Sequence, residues 1–183
     1  MVTDKLRYTE NWYRDVEEAA VLWSLSQVEA DGAFIEIGSF EGKSTVSIAN
    51  AIYPKILCAV DTWKGGSHSG YELSKYNTTP IEANFKNNIE VGTEGNVRAF
   101  KMDWETFITD ILNSTIAFLY LDGPHDYDSV LRSLEIIVPL MNVGSVLVGD
   151  DYDDQSVKGA VFDFFGESMD HPKIDRMFHY KLT

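Results

Sequence analysis

The sequence predicts a single α/β domain over residues 1–183, a doubly wound, mostly parallel sheet of six to seven strands with helices on both faces. Three observations predict it. Short apolar runs alternate with segments of helical spacing along the whole chain. Those runs are continuous rather than alternating, as in strands buried on both faces. Five of them stop at an acidic residue, where a parallel sheet presents its ligand-binding edge.

Residues 1–31 form an N-terminal helical segment. Asn11 can cap a helix in which Val16, Ala19, Ala20, Trp23 and Ser24 share one face, expected to point inward. Asp31-Gly32 makes the turn into the first strand, Ala33 to Ile37. Ser44 to Ile52 is a helix with Val46, Ile48, Ala49 and Ile52 partly inward, and Pro54 bars its continuation. Ile56 to Val60 is the second strand, stopping at Asp61. Residues 62–78, with Trp63, His68, Tyr71, Tyr76 and several glycines, have no steady period and read as a loop covering an active site or as a disordered insert.

Thr79-Pro80-Ile81-Glu82 is a capping box with proline at the first helical position, and its helix runs through Phe85 and Ile89 to Gly92. Val97 to Met102 is the third strand. Asp103 can cap a helix from Trp104 to Leu112. Ile116 to Leu121 is the fourth strand, followed by a helix capped by Asp126 or Asp128 that carries Val130, Leu131, Leu134, Ile137 and Val138 on one face. Ser145 to Val148 is the fifth strand, Val157 to Phe165 a helix, and Arg176 to Leu182 the last strand.

The formal charge of −14 argues against a nucleic-acid backbone or an anionic membrane as the main partner. It is compatible with a cationic ligand, although an acidic surface also simply confers solubility. The single cysteine, Cys58, lies within an apolar strand, so no disulfide framework or cysteine zinc site forms within the chain. The charged N-terminus lacks the apolar core of a signal peptide, and no apolar run reaches a membrane span. The expectation is a cytoplasmic protein.

The chemistry concentrates at the strand ends: Glu36-Ile37-Gly38, Asp61, Met102-Asp103-Trp104, Asp122-Gly123 and Gly149-Asp150-Asp151. One or two aspartates there would be plain helix caps; five acidic strand ends are harder to dismiss. Gly42-Lys43-Ser44 imitates the end of a phosphate-binding P-loop. The glycine that motif needs five residues earlier is Ile37, and Glu36 would set a carboxylate beside the phosphates. A dinucleotide-binding turn fails too, because Phe40 stands where its second glycine belongs. A carboxylate at this turn suits a positively charged ligand. Asp122, Asp150 and Asp151, on adjacent strands about 4.8 Å apart, could converge on a hard divalent cation that would relieve their mutual repulsion.

Glu36-Ile37-Gly38-Ser39-Phe40-Glu41-Gly42 resembles the first motif of class I S-adenosylmethionine-dependent methyltransferases, whose Rossmann-like sheet ends in an antiparallel C-terminal strand. The segments Leu121-Asp122-Gly123-Pro124-His125-Asp126-Tyr127 and Gly149-Asp150-Asp151-Tyr152 resemble the metal-dependent small-molecule and sugar O-methyltransferases with an Asp triad, and the likeness covers roughly residues 33–165. The resemblance implies that Glu36, Gly38, Ser39, Gly42, Ser44 and Asp122 line the cofactor. Asp61 would hold its ribose, and Asp103 with Trp104 its adenine. It implies Mg2+ or another hard divalent cation on Asp122, Asp150 and Asp151, with a small hydroxylated molecule as acceptor. Where sugar-type enzymes carry a basic aspartate, this chain has Pro124, and His125 falls at the position of the catechol-type lysine base; an imidazole there is the expected proton acceptor. The C-terminus has room for one clear strand; either the sheet is trimmed by a strand or a short one lies around Lys173-Ile174, and a trimmed edge is one that a second copy could cover as a homodimer. Two other readings stay open: a non-catalytic nucleotide- or S-adenosylmethionine-binding module, and another enzyme class on the same fold.

Overall fold

The computed structural model describes residues 6–64, 80–166, 170–171 and 174–183. Its sheet has seven strands in the order β3-β2-β1-β4-β5-β7-β6. The strands are β1 (Ala33–Ile37), β2 (Leu57–Asp61), β3 (Val97–Lys101), β4 (Ile116–Leu121), β5 (Met141–Gly149), β6 (Asp170–His171) and β7 (Ile174–Lys181). β1 to β5 pair in parallel, and β7 runs antiparallel to both β5 and β6. The six-to-seven-strand expectation resolves to seven, with β6 a two-residue strand too short to read from sequence.

The helices are α1 (Asp15–Leu25), α2 (Lys43–Ile52), α3 (Ile81–Gly92), α4 (Trp104–Thr106, continued by a wider π-helical turn over Phe107–Ile111), α5 (Tyr127–Ile137) and α6 (Gln155–Phe165). Two apolar layers sandwich the sheet. One gathers Ile35, Leu119, Leu121, Leu147, Val130, Leu134 and Val161; the other gathers Phe34, Phe118, Tyr120, Val148, Val21 and Ile48. β4 is buried at every position, which explains its uninterrupted apolar sequence. Asp103, Asp126 and Asp154 each accept backbone N–H groups at the start of α4, α5 and α6, so these caps fix where three helices leave the strand-end edge.

Two expectations are corrected. α1 is capped at Arg14 rather than Asn11, and its buried face is rotated from the expected one: Ala20 and Ser24 are buried as expected, Glu17 and Val21 join them, and Val16 and Trp23 are each 42% exposed. Burial of Glu17 is tolerated because Arg14 donates to it from both its backbone N (3.0 Å) and its guanidinium. At α3, Pro80 occupies the cap position just before the helix, with its carbonyl accepting Asn84 N–H (2.8 Å), and Thr79 lies outside the described residues. So does most of the expected cover loop, its residues 65–78. Among the described residues no helix is long and apolar enough to cross a membrane.

Candidate active site

The strand order reverses between β1 and β4, and the crevice at such a switch point is where an open α/β sheet binds its ligand. Three hydrogen bonds beyond the regular ladder bring the strand ends side by side: Gly38 N to Val60 O (2.9 Å), Asp122 N to Ile37 O (2.9 Å) and Asp150 N to Leu121 O (3.1 Å). The β1 turn leaves so close to β4 that a Cβ on Gly38 (φ +89°) would sit 1.8 Å from the Asp122 carbonyl oxygen. Only glycine fits there. Gly42, at φ +81°, then starts α2 without a side-chain cap, so the first amides of that helix are available to a ligand.

Non-glycine residues with left-handed backbone occur in three places among the described residues: Phe40 (φ 46°), Trp63 (φ 49°) and Asp151 (φ 56°). They follow β1, β2 and β5 at the same edge. Such conformations persist where surrounding contacts over-determine them, and they gather at ligand sites.

Glu36 is fully buried at the β1 end and accepts the Thr45 hydroxyl; its Oε1 and the neighbouring Ser39 Oγ are buried without a hydrogen-bond partner among the described residues. Burial raises the Glu36 carboxyl to about 7, against the opposing effect of the Ser44, Thr45 and Ser39 hydroxyls. Asp61 accepts the backbone N–H of Phe40 (2.8 Å) and of Trp63 (2.7 Å), which holds the β1 and β2 loops together. Burial raises its pKa, and those N–H groups oppose the rise. The Trp63 indole donates to Phe40 O (2.8 Å). Asp103 spends its carboxylate on capping α4, accepting Glu105 N–H (2.9 Å), and Trp104 packs partly against the core beneath β3.

The acids at β4 and β5 meet His125. Its Nε2 lies 2.9 Å from Asp151 Oδ2 and 3.7 Å from Asp122 Oδ1, and ligand atoms of the three residues all lie within 4.8 Å of one another. Asp150 stands behind them, 7% exposed, accepting the Asp151 N–H (2.8 Å). Hydrogen bonding to Asp122 and Asp151, with their charge, raises His125 to about 10 against the opposing effect of burial. Burial, then the charges of Asp122 and Asp151, lifts Asp150 to about 8. Asp122 is also raised, by burial, whereas Asp151 is lowered: burial acts to raise it, but His125 and Arg176 outweigh that.

Two residues of this site escaped the sequence reading. Arg176, on β7, pairs with Asp151 and lies 3.8 Å from Asp150, while its carbonyl accepts Tyr152 N–H (2.7 Å). The available signal was electrostatic: four aspartates within residues 150–154 need a counter-charge. Glu41, 2% exposed, accepts Thr9 N–H (2.6 Å), Thr9 Oγ1 (3.0 Å) and Asn84 Nδ2 (2.8 Å), tying the N-terminal segment and α3 to the glycine turn.

A Gly turn at the switch point, an acidic residue closing each of the flanking strands, and the antiparallel β7 together define a methyltransferase domain. A family model described as "Methyltransferase domain" matches residues 35–152, and the chain belongs to that family. "Uncharacterized protein R132" of Acanthamoeba polyphaga mimivirus is 30% identical over 125 residues, 68% of this chain; the chain spans about half, 53%, of that protein's length. Among solved structures, the O-methyltransferase NovP superposes with a TM-score of 0.71 at 17% identity, covering 92% of this chain and 80% of NovP. TomG from Streptomyces achromogenes, an O-methyltransferase solved in complex with SAM, gives 0.58 at 16% identity, covering 89% and 77%. CalS11, a TDP-rhamnose 3'-O-methyltransferase, also gives 0.58 at 16% identity, covering 92% and 81%. These likenesses show the fold: the Rossmann-like sheet with an antiparallel C-terminal strand.

Proposed function

We propose that the protein transfers a methyl group from S-adenosylmethionine to a hydroxyl oxygen of a small molecule, a sugar or a ring, with help from a divalent cation. The observation that carries this is the convergence of Glu36, Asp61, Asp122 and Asp151 on one sheet edge, with Glu36 Oε1 and Ser39 Oγ buried beside the glycine turn and without a hydrogen-bond partner among the described residues. Unsatisfied buried polar atoms are costly, and a ligand that reaches them removes the cost. The family match and the O-methyltransferase neighbours support the reaction class; the sugar acceptor named for CalS11 supports a hydroxylated substrate.

The two halves of the site divide the work. Gly38 lets the backbone approach the donor closely, and Ser44 with the free α2 amides faces its methionine carboxylate. Asp61 is already fixed by two backbone N–H groups and keeps lone pairs for paired ribose hydroxyls. Asp103 and Trp104 are assigned to the adenine, where a flat ring stacks on the indole. Asp122 and Asp151, with Asp150 behind them, would hold the cation. When bound, the donor supplies an electrophilic methyl on sulfonium sulfur, and the cation would acidify and fix the acceptor hydroxyl. The chain's own contribution is alignment of acceptor oxygen, methyl carbon and sulfur, so that the oxygen–methyl bond forms as the sulfur–methyl bond breaks; S-adenosylhomocysteine leaves, and His125 is assigned to take the hydroxyl proton and pass it to solvent.

Incubation with methyl-labelled S-adenosylmethionine and a panel of sugars, nucleoside-diphosphate sugars and catechols, with Mg2+ or Mn2+, tests this. Label transfer to one acceptor class, reduced in Asp61→Asn at sub-saturating donor, is expected. No transfer, together with no binding of the donor, would overturn the proposal.

A further inference from the structure

Glu41 lies inside the glycine turn, yet none of the donor contacts assigned above uses it. We propose that Glu41 is a positioning residue of the donor site: it docks residues 7–12 onto the turn as a strap, and the docked strap holds Phe40 in its donor-binding conformation. This rests on the S-adenosylmethionine reading above.

Residues 6–14 form neither helix nor strand, so their path is set by contacts to other elements. Those contacts come at successive residues. Asn88 accepts the Arg7 N–H (2.6 Å) and donates to the Arg7 carbonyl (2.8 Å). Glu41 accepts the Thr9 N–H (2.6 Å) and the Thr9 hydroxyl (3.0 Å). Lys43 donates to the Asn11 side chain, and the Trp12 ring lies 4.9 Å from that of Phe40. Arg7, Thr9, Asn11 and Trp12 are themselves exposed, while the Glu41 carboxylate beneath them is buried.

The other side of the turn is gripped by α3. Asn84, Phe85 and Asn88 share one buried face of that helix. Asn84 donates to Glu41 Oε1 (2.8 Å), and Asn88 donates to the Glu41 carbonyl (2.8 Å). Phe85 packs against Trp63 (4.7 Å between ring centroids) and closes on Gly42, where an added Cβ would come within 2.9 Å of it. Buried amides and a buried carboxylate are tolerated because they satisfy one another here. Strap, turn and α3 therefore meet at Glu41.

The effect on the donor runs through Phe40. Its left-handed backbone (φ 46°) persists where surrounding contacts over-determine it. The Phe40 N–H is donated to Asp61, and its carbonyl accepts the Trp63 indole. A turn released from the strap would therefore shift the carboxylate assigned to the ribose. Glu41 directs its own oxygens to Thr9 and Asn84, so it acts on the donor through the turn.

Calorimetric titration of the full chain with S-adenosylmethionine, run on Trp12→Ala, Glu41→Ala, Glu41→Gln and the double alanine variant, tests this. Trp12→Ala truncates an exposed side chain and should weaken binding about fivefold with little change in the urea midpoint. Glu41→Ala should weaken it about tenfold, and Glu41→Gln, which keeps an acceptor for Thr9, should recover most of the loss. The double variant should bind no more weakly than Glu41→Ala alone, because both act through one strap. In the wild type, donor binding should slow amide exchange at Arg7 and Thr9. Wild-type affinity in Trp12→Ala, fully additive effects, or a Glu41→Gln variant as weak as Glu41→Ala would overturn the positioning role and leave the donor site standing. A wild type that binds no donor would overturn the S-adenosylmethionine reading itself, and this inference with it.

Discussion

Glu36 makes a sharp prediction because its environment penalises its charge. The carboxyl moves from an ordinary 4.5 to about 7 on folding, chiefly through burial. A raised carboxyl means that the folded state binds more protons than the unfolded state between those two values. Stability therefore falls as pH rises through that window, and is lowest once Glu36 is ionised above about 7. The displacement corresponds to roughly 3 kcal/mol. Glu36→Gln keeps the shape and an oxygen to accept the Thr45 hydroxyl, but removes the titration. Urea unfolding of the ligand-free protein at pH 5 and pH 8 should show wild type losing about 2.5 kcal/mol relative to the variant on going to pH 8. Parallel stability profiles for the two proteins would refute the assignment of a buried, unpaired carboxylate at the β1 end.

Other substitutions address the remaining parts of the site. Gly38→Ala drives a methyl group into the Asp122 carbonyl, and should cost about 3 kcal/mol or more in urea unfolding; a variant of wild-type stability would contradict the close approach of the two strand ends. Glu41→Ala strands the Thr9 and Asn84 donors, so a loss of about 2–4 kcal/mol is expected, with faster proteolytic cleavage within residues 6–14; protease resistance equal to wild type would show that Glu41 does not anchor that segment. Asp61→Asn removes a charged acceptor for the ribose hydroxyls and should weaken S-adenosylmethionine binding by about tenfold or more in equilibrium dialysis, whereas unaltered affinity would move the ribose elsewhere.

Much of the fold was legible because parallel strands buried on both faces read as unbroken apolar runs. β4 was read at its observed bounds, and the aspartate caps of α4 and α5 gave their starts. The face of α1 was not legible. Counting apolar residues at helical spacing assumes that charge points outward, and Glu17 violates that assumption because Arg14, three residues earlier, neutralises it locally. β5 begins four residues earlier than its apolar core suggests, since Asn142 and Val143 are exposed strand positions. The site shows the same division. Acids that close strands could be listed from sequence, because the carboxyl edge of a parallel sheet is one place. Which of them touch depends on register and on the antiparallel return of β7, and neither is written in local composition. Hence the pairing of Arg176 with Asp151 is not legible from sequence order.

The central claim is that the β1–β4 crevice binds S-adenosylmethionine. Titration calorimetry of the full chain with this donor tests it most directly. Saturable one-to-one binding, weakened in Asp61→Asn, is expected. Absence of binding in both the presence and absence of Mn2+ would contradict it.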